Sequence, residues 1–140
     1  MAPDKIVVGC DGSSCANAAL AVAARTALDT GDELVLVFAS EPPGRVGEEF
    51  RAYREALEER GREILKEAER VAREAGVETI TTRIVGERPA EALNDVAEEL
   101  DARMLVVGSY GESPLRSAIL GSVPHKLLQI SSTPVLCVRG

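Results

Sequence analysis

Hydrophobic residues in this chain follow two patterns that alternate along the sequence. Short, nearly continuous apolar runs are separated by longer stretches in which apolar residues recur every three or four positions. Strands covered on both faces produce the first pattern, and helices with one buried face produce the second. The runs predict strands at residues 5–10, 34–39, 104–108 and 135–138. The alternation predicts an α/β fold with a parallel sheet covered by helices.

A fifth strand is predicted at residues 78–85, where Thr and Ile alternate instead of forming a continuous apolar run. Such alternation indicates a strand whose faces are less completely buried. We therefore expect this strand at or near an edge of the sheet.

Two helices are predicted in the first half of the chain. The first follows a cap at Ser13 or Ser14 and ends at Gly31, since serine favours N-caps and glycine favours C-caps. The second covers residues 48–75 and is expected to be weakened at Gly61.

The second half of the chain predicts two more helices and one long loop. Pro89 begins a helix, in keeping with the preference of proline for the first turn. A short helix near residue 125 is expected to have Ser122 as its cap and Pro124 at its start. The loop at residues 109–121 is long and rich in Gly and Ser, a feature typical of functional loops.

Composition limits the domain organisation and the partners. A chain of 140 residues with 45% hydrophobic residues predicts a single domain over residues 1–140. Against 23 acidic residues there are 16 Lys and Arg, and the formal charge of -7 excludes nucleic acid and anionic membranes as expected partners. No apolar run approaches bilayer length and no signal sequence precedes the first strand, so we expect a cytoplasmic protein.

The cysteines and the single histidine do not form an evident reactive or metal-binding set. Cys10, Cys15 and Cys137 have no zinc-like spacing and are interpreted as reduced thiols. Cys10 follows a strand beside the expected pocket, where it could be oxidised or alkylated, whereas Cys137 is expected to pack within its strand. His125 is interpreted as a residue on the surface or on a helix face.

Two loops carry the candidate chemistry, because ligands of open parallel sheets bind beyond the carboxyl ends of the strands. They are residues 11–13 and residues 108–122. The second contains Gly108, Gly111 and Gly121, followed by the hydroxyl of Ser122 before a helix. Bare main-chain amides and a helix N-terminus could converge there on one anion, which describes a phosphate cradle. The alternative is that each glycine merely satisfies a turn.

Two other phosphate-binding motifs are absent from the sequence. It contains no Gly-x-x-x-x-Gly-Lys-Ser/Thr, and residues 9–12 do not continue as Gly-x-Gly-x-x-Gly. A P-loop NTPase and an NAD-dependent dehydrogenase are therefore not expected.

Residues 108–122 resemble the Gly-x2-Gly-x9-Gly-Ser/Thr motif of ATP-binding universal stress proteins. Nine residues separate Gly111 from Gly121, and the resemblance extends over nearly the whole chain, including residues 6–13 and 121–136. It implies a single open, doubly wound, five-stranded parallel sheet in the order 3-2-1-4-5 with helices on both faces. It also implies ATP, with Mg²⁺, as the bound ligand.

The resemblance further implies which residues meet the nucleotide. The expected nucleotide-binding residues are Gly9, Cys10, Asp11, Ala39, Gly108, Ser109, Gly111, Arg116, Gly121, Ser122 and Val123. Asp11 would lie near the ribose or a metal-bound water, and Ala39 would meet the adenine. Two alternatives stay open: Asp11 as the residue of an Asx-turn that caps the first helix, and Arg116 as a solvated surface residue instead of a phosphate partner.

Three positions depart from common family usage, namely Tyr110, Glu112 and Pro124. A carboxylate of Glu112 turned inward would oppose the phosphates. Pro124 removes a backbone donor at the start of a helix. These departures bear on affinity for the nucleotide.

Three functions are consistent with the sequence. In the first, the resemblance implies a homodimer through the C-terminal strand, whose apolar edge needs cover, and ATP regulates that dimer as a stress-response switch. The second is slow ATP hydrolysis or autophosphorylation, with Ser109, Ser113 or Ser122 as acceptor. The third is a nucleotide-free interaction or redox-sensing module that uses the long helix or Cys10.

Overall fold

Strands and helices alternate along the chain, as the hydrophobic pattern predicts. The computed structural model describes residues 2–41, 44, 47–110 and 120–140. Within these ranges the strands are β1 (Lys5–Gly9), β2 (Glu33–Ala39), β3 (Ile80–Val85), β4 (Met104–Gly108) and β5 (Val135–Val138). The helices are α1 (Ser14–Thr30), α2 (Glu48–Glu74), α3 (Pro89–Leu100) and α4 (Ser122–Ile130). Every strand boundary lies within two residues of its predicted position.

The five strands form one parallel sheet in the order β3-β2-β1-β4-β5, which confirms the order implied by the family resemblance. Val7 in the central strand pairs with Val35 on one side and with Leu105 on the other. β3 lies at an edge, as its alternating pattern predicts. The loops after β1 and β4 both begin at the carboxyl ends of neighbouring strands. They diverge there, which creates a crevice.

Helices cover both faces of the sheet. Ile6 and Val8 face one core together with residues of α1 and α2. Val7, between them in sequence, faces a second core with residues of α3 and α4. This alternation follows from the two-residue period of a strand, and it explains why β1 is apolar on both faces. None of the helices in the described ranges is long and apolar enough to cross a membrane.

Three predicted helix ends are confirmed. The hydroxyl of Ser13 accepts a hydrogen bond from the amide of Ala16 at 3.2 Å, so Ser13 is the cap of α1. At the other end Gly31 has a φ of 78° and its amide donates to the carbonyl of Ala27. Pro89 is the first residue of α3, where its missing N–H leaves no hydrogen bond unmade.

The start of α4 differs from the prediction. Gly121, and not Ser122, is the N-cap: it is extended, with φ -62° and ψ 164°, and its carbonyl accepts from the amide of His125 at 3.1 Å. Ser122 is therefore the first helical residue. Pro124 lies within the first turn, whose amides have no partner inside a helix, so its ring does not interrupt hydrogen bonding.

Gly61 does not weaken α2, which runs through it without a break. The residue is buried against Phe38 of β2, and a Cβ built at position 61 would lie 2.5 Å from Cδ2 of that ring. The glycine is therefore needed for close packing of the helix on the sheet, and the prediction of a weak point was wrong.

An ion pair joins the chain segments at the amino ends of three strands. Asp32 precedes β2, and its side chain is only 1% exposed. Its carboxylate accepts from Nε of Arg103 at 2.5 Å and from the amide of Asp4 at 3.2 Å. Burial raises the pKa of Asp32, but the hydrogen bonds and charge of Arg103 outweigh it, and the pKa lies below its usual value.

Replacing Gly61 with Ala should destabilise the fold by about 1–3 kcal/mol, because the added methyl group overpacks Phe38. Helix propensity alone would give the opposite sign, a gain of up to about 1 kcal/mol. Chemical denaturation of Gly61→Ala, Phe38→Leu and the double variant measures the effect. The smaller side chain at position 38 should recover part of the loss in the double variant, and additive losses would contradict the proposed contact.

Asp32→Asn should lower the unfolding free energy by about 2–3 kcal/mol at neutral pH, since hydrogen bonds to a charged partner are lost. A carboxyl group whose pKa is depressed by folding stabilises above its unfolded pKa. The wild-type advantage should therefore shrink as the pH falls below about 4. Glu33→Gln is the matched control, because its ion pair with Lys5 is more exposed and should contribute under about 1 kcal/mol. Equal losses in both variants would contradict the assignment.

Candidate functional site

A cavity of about 150 Å³ lies at the carboxyl ends of β1, β2 and β4. Five segments of the chain contribute to it, which is the arrangement expected at the point where strand order reverses. The lining residues are Gly9, Cys10, Asp11, Ser13, Ala16, Val37, Ala39, Pro89, Leu93, Val107, Gly108, Tyr110, Ser122, Val123 and Pro124. Most of the wall is apolar, and the polar groups are concentrated in the loops after β1 and β4.

The loop after β1 forms one wall of the cavity. Oδ1 of Asp11 accepts a hydrogen bond from the amide of Ser13 at 2.8 Å, so the Asx-turn considered from the sequence is present. Gly12 has a φ of 83°, a left-handed conformation that glycine adopts without strain. Asp11 also lines the cavity, so its turn role leaves the carboxylate beside a ligand bound there.

The end of β4 packs directly against the first turn of α1 at Gly108. A Cβ built on Gly108 would lie 2.7 Å from the carbonyl carbon of Cys15 and 2.9 Å from the amide nitrogen of Ala16. Gly108 is not among the described glycines with a positive φ. Its lack of a side chain is therefore required by close approach and not by a turn.

Gly121 is constrained in the same way at the far end of the loop. Its amide donates to the carbonyl of Ser109 at 2.6 Å, and a Cβ at this position would lie 2.8 Å from Cα of Tyr110. The φ of -62° is accessible to any residue. The simple turn explanation therefore fails at Gly108 and at Gly121, and the two ends of the loop are fastened together.

The N-terminus of α4 lies at the cavity. No side chain among the described residues caps this helix. Ser122 and Val123 line the cavity at its first turn, where main-chain amides have no partner inside the helix and the helix dipole favours an anion. Pro124 lines the cavity too but offers no amide.

Two of the described residues expected at the site, Ser109 and Gly121, do not line the cavity. Ser109 is 8% exposed, and its hydroxyl lies 3.6 Å from Sγ of Cys15. Ala39 ends β2 at the cavity wall, consistent with an apolar contact. Gly111 and Arg116, like Glu112 and Ser113, lie outside the described residues.

The thiol with a lowered pKa is that of Cys15 and not that of Cys10, where reactivity was expected. Burial raises the pKa of Cys10 to about 12, and its sulphur lies 3.8 Å from the carbonyl oxygen of Val8. The raised pKa disfavours the thiolate form of Cys10, which argues against the reactive thiol expected there. Burial also raises the pKa of Cys15, but hydrogen bonds with Ser109, Tyr110 and Gly140 outweigh it and lower the pKa to about 7.

Sequence reasoning missed part of the cavity wall. Ser13 was considered only as a helix cap, and Pro89 and Leu93 come from α3, which covers the other face of the sheet from α1. The position of Cys15 in the first turn of α1 was the one available signal for its perturbed pKa, because helix N-termini favour thiolates.

A larger cavity of about 370 Å³ lies between α1 and α2 and shares Cys10 and Ala16 with the first. Its lining includes Glu63 and Glu67, of which Glu67 is ion-paired with Arg70 at 2.5 Å. The described lining includes no basic residue, so this cavity suits an anion less well than its size suggests. Among the described residues no group of three or more His, Cys, Asp or Glu could hold a metal ion, and His125 is exposed on α4.

The fold and cavity define an open, doubly wound α/β protein with a ligand crevice where strand order reverses. A model of the universal stress protein family matches residues 3–139, and the chain belongs to that family. Universal stress protein YxiE of Bacillus subtilis (strain 168) is 37% identical over 147 residues, which cover 97% of this chain and 99% of that protein.

Two solved structures of the family are similar to this chain and contain adenine nucleotides. One, a universal stress protein in complex with cAMP, is 31% identical with a TM-score of 0.78, and the match covers 99% of this chain and 98% of the other. The universal stress protein from Archaeoglobus fulgidus in complex with dAMP is 26% identical with a TM-score of 0.75, and 99% of each chain is covered.

Proposed function

We propose that this protein binds ATP with Mg²⁺ in the cavity at the carboxyl ends of the strands and acts as a homodimeric regulatory switch in stress response. The observation that carries the proposal is the pair of close contacts at Gly108 and Gly121, which bring the uncapped first turn of α4 to the cavity. The complexes of two similar family members with cAMP and dAMP support an adenine nucleotide as the ligand.

In this proposal the triphosphate lies at the N-terminus of α4. The amides at the first turn of α4, near Ser122 and Val123, donate hydrogen bonds to its oxygens. The close contacts of Gly108 and Gly121 hold that turn beside the cavity. Gly111 and Arg116, outside the described residues, complete the phosphate contacts. Main-chain donors suit a chain with a formal charge of -7, because they attract an anion without any cluster of basic side chains.

The adenosine occupies the apolar part of the cavity. Ala39 contacts the adenine, while Gly9 and Cys10 border the adenosine from β1. Cys10 is protonated and buried there, so it presents an apolar surface to the ligand. Asp11, held by its bond from the Ser13 amide, borders the ribose.

Magnesium fits this site as an ion carried by the nucleotide. Mg²⁺ binds mainly to substrate phosphates and water and needs only one or two carboxylates from the protein. Asp11 supplies a carboxylate in the cavity wall, with Oδ1 engaged by Ser13 and Oδ2 available to a metal-bound water. The Mg²⁺ ion would neutralise part of the negative charge of the phosphates, which the acidic chain otherwise repels.

The dimer is proposed to form through β5. This strand pairs with β4 on one side and lies at the edge of the described sheet. Leu136 in β5 is 39% exposed and Leu128 on α4 is 61% exposed. An apolar edge strand is a template for pairing with another chain, and a second copy would cover it.

A binding role is favoured over catalysis and over redox sensing. The hydroxyl of Ser109 faces Cys15 and not the cavity. The carboxylate of Asp11 is held by its turn, and no other described carboxylate or histidine lines the cavity to serve as a base. Turnover of ATP is therefore proposed to be weak at most. Burial raises the pKa of Cys10, which disfavours the thiolate that a redox role at that residue would need.

Placing a carboxylate at position 122 should separate phosphate binding from folding. Ser122→Asp is expected to weaken binding of MgATP at least about tenfold, because it repels the phosphates, while the negative charge at a helix N-terminus leaves stability unchanged or higher. Ser14→Asp is the matched control: Ser14 is also the exposed first residue of a helix, but it does not line the cavity.

Calorimetric titration with MgATP, alongside thermal melting, measures both effects. The wild type should bind one nucleotide per chain, and Ser14→Asp should bind within about threefold of it, since the added charge is screened by salt. Absence of heat and of any melting shift at millimolar MgATP in the wild type would refute the proposal. Steady release of ADP at high rate would favour the enzyme instead.

Leu136→Glu should convert the dimer to a monomer, because a charge on the paired edge would have to be buried without a partner. Ile84→Glu is the control, since Ile84 lies on β3 at the opposite edge and is also 39% exposed. Sedimentation velocity of the three proteins distinguishes the edges. A monomeric wild type, or dissociation caused only by Ile84→Glu, would contradict a dimer through β5.

A further inference from the structure

The thiol of Cys15 lies behind the wall of the nucleotide cavity. Cys15 is fully buried in the first turn of α1 and does not line the cavity, although Ser13 and Ala16 of the same turn do. Its Sγ lies 3.6 Å from Oγ of Ser109 and accepts a hydrogen bond from the amide of Gly140 at 3.2 Å. We refer to Cys15, Ser109 and Gly140 as the thiol cluster.

The main chain of Ser109 connects β5 to the loop at residues 108–122, which we call the phosphate loop. Its amide donates to the carbonyl of Val138 at 2.9 Å, and its carbonyl accepts from the amide of Gly121 at 2.6 Å. Ser109 therefore joins both ends of the loop to the strand proposed to form the dimer. Its side chain is the third attachment, and that attachment reaches Cys15.

The main chain at two glycines, Gly108 and Gly140, packs closely against Cys15. A Cβ on Gly108 would lie 2.7 Å from Cβ of Cys15, and one on Gly140 would lie 2.8 Å from its Cα. The start of the phosphate loop, the first turn of α1 and the segment after β5 thus meet at one side chain. A small displacement of that side chain has to displace at least one of these segments, because packed interiors do not absorb such changes.

We propose that Cys15 and Ser109 are positioning residues for the phosphate loop, with the Cys15 side chain holding Ser109 by a hydrogen bond so that the loop ends stay in register with α1 and β5. The inference rests on the proposed nucleotide function and adds to it a physical route from the nucleotide to the proposed dimer strand. Neither residue needs to touch the ligand, since both act through Gly108 and Gly121.

A purely apolar role for Cys15 makes a different prediction, because buried cysteine often acts only as a small hydrophobic residue. Alanine and serine are nearly equal in size, and both remove the sulphur. They differ in the ability to hydrogen bond. If packing alone matters, Cys15→Ala and Cys15→Ser should bind nucleotide alike, and a polar group buried without benefit would make the serine variant less stable.

The experiment measures MgATP affinity by calorimetry in the wild type, Cys15→Ala, Cys15→Ser and Cys137→Ala. We expect Cys15→Ala to lose about five- to tenfold in affinity, as removal of one buried hydrogen bond predicts, and Cys15→Ser to recover most of that loss. Cys137→Ala makes the same chemical change in β5, where the residue packs against the core on the α3 side, and should bind like the wild type.

A second readout does not require nucleotide. Amide hydrogen exchange of the free protein should show Ser109 and Gly121 exchanging at least about tenfold faster in Cys15→Ala than in Cys15→Ser, with Val106 in the core of β4 unchanged. If that occurs while no variant binds MgATP, the positioning role stands and the proposed function fails. Equal exchange and equal affinity in the two variants would overturn the inference.

Discussion

The contact on which the rest of the structure depends is the packing of the end of β4 against the first turn of α1. A side chain at position 108 would come within 2.7 Å of Cys15, so strand and helix meet through the bare main chain of Gly108. This contact sets the distance between the loops after β1 and β4. It therefore fixes the width of the cavity that these loops enclose, and the bond between Gly121 and Ser109 brings α4 to the same place.

The buried ion pair and the cavity lie at opposite ends of the strands. The ion pair of Asp32 with Arg103 lies at the amino ends of the strands, where it joins the segments that lead into β1, β2 and β4. At the carboxyl ends the described polar residues that line the cavity are Asp11, Ser13, Tyr110 and Ser122. Under the proposed function an anion would feel donors in direct contact at full strength, whereas distant surface charges are screened over about 10 Å.

Local patterns predicted the strands well because an apolar run can be located from its own residues, without knowledge of the rest of the fold. The strand order came from the family resemblance and not from periodicity. The predicted cap of α4 was wrong because serine is the better cap in isolation. In the folded chain, the hydrogen bond from the amide of Gly121 to the carbonyl of Ser109 holds the glycine in an extended conformation at the cap position. Gly61 was misjudged for a similar reason, since its partner Phe38 belongs to another element.

The expected site residues came from the family resemblance, and the cavity includes Gly108, Ser122 and Val123 of them but also Pro89 and Leu93, which no local pattern indicated. The state of Cys10 depends on burial, which no local pattern encodes. Cys15 meets Ser109 across 94 positions and Gly140 across 125, so its surroundings exist only in the folded chain. Gly111 and Arg116 lie outside the described residues, and their roles stay predictions.

Close contacts explain the two described end glycines of the motif better than turns do. Gly108 and Gly121 are both contact positions with ordinary backbone angles, one against α1 and the other against Tyr110. Through these two contacts the first turn of α1 packs against the end of β4, and the start of α4 is hydrogen-bonded to Ser109 just beyond that end. The two glycines therefore bring both helix N-termini to the carboxyl end of β4.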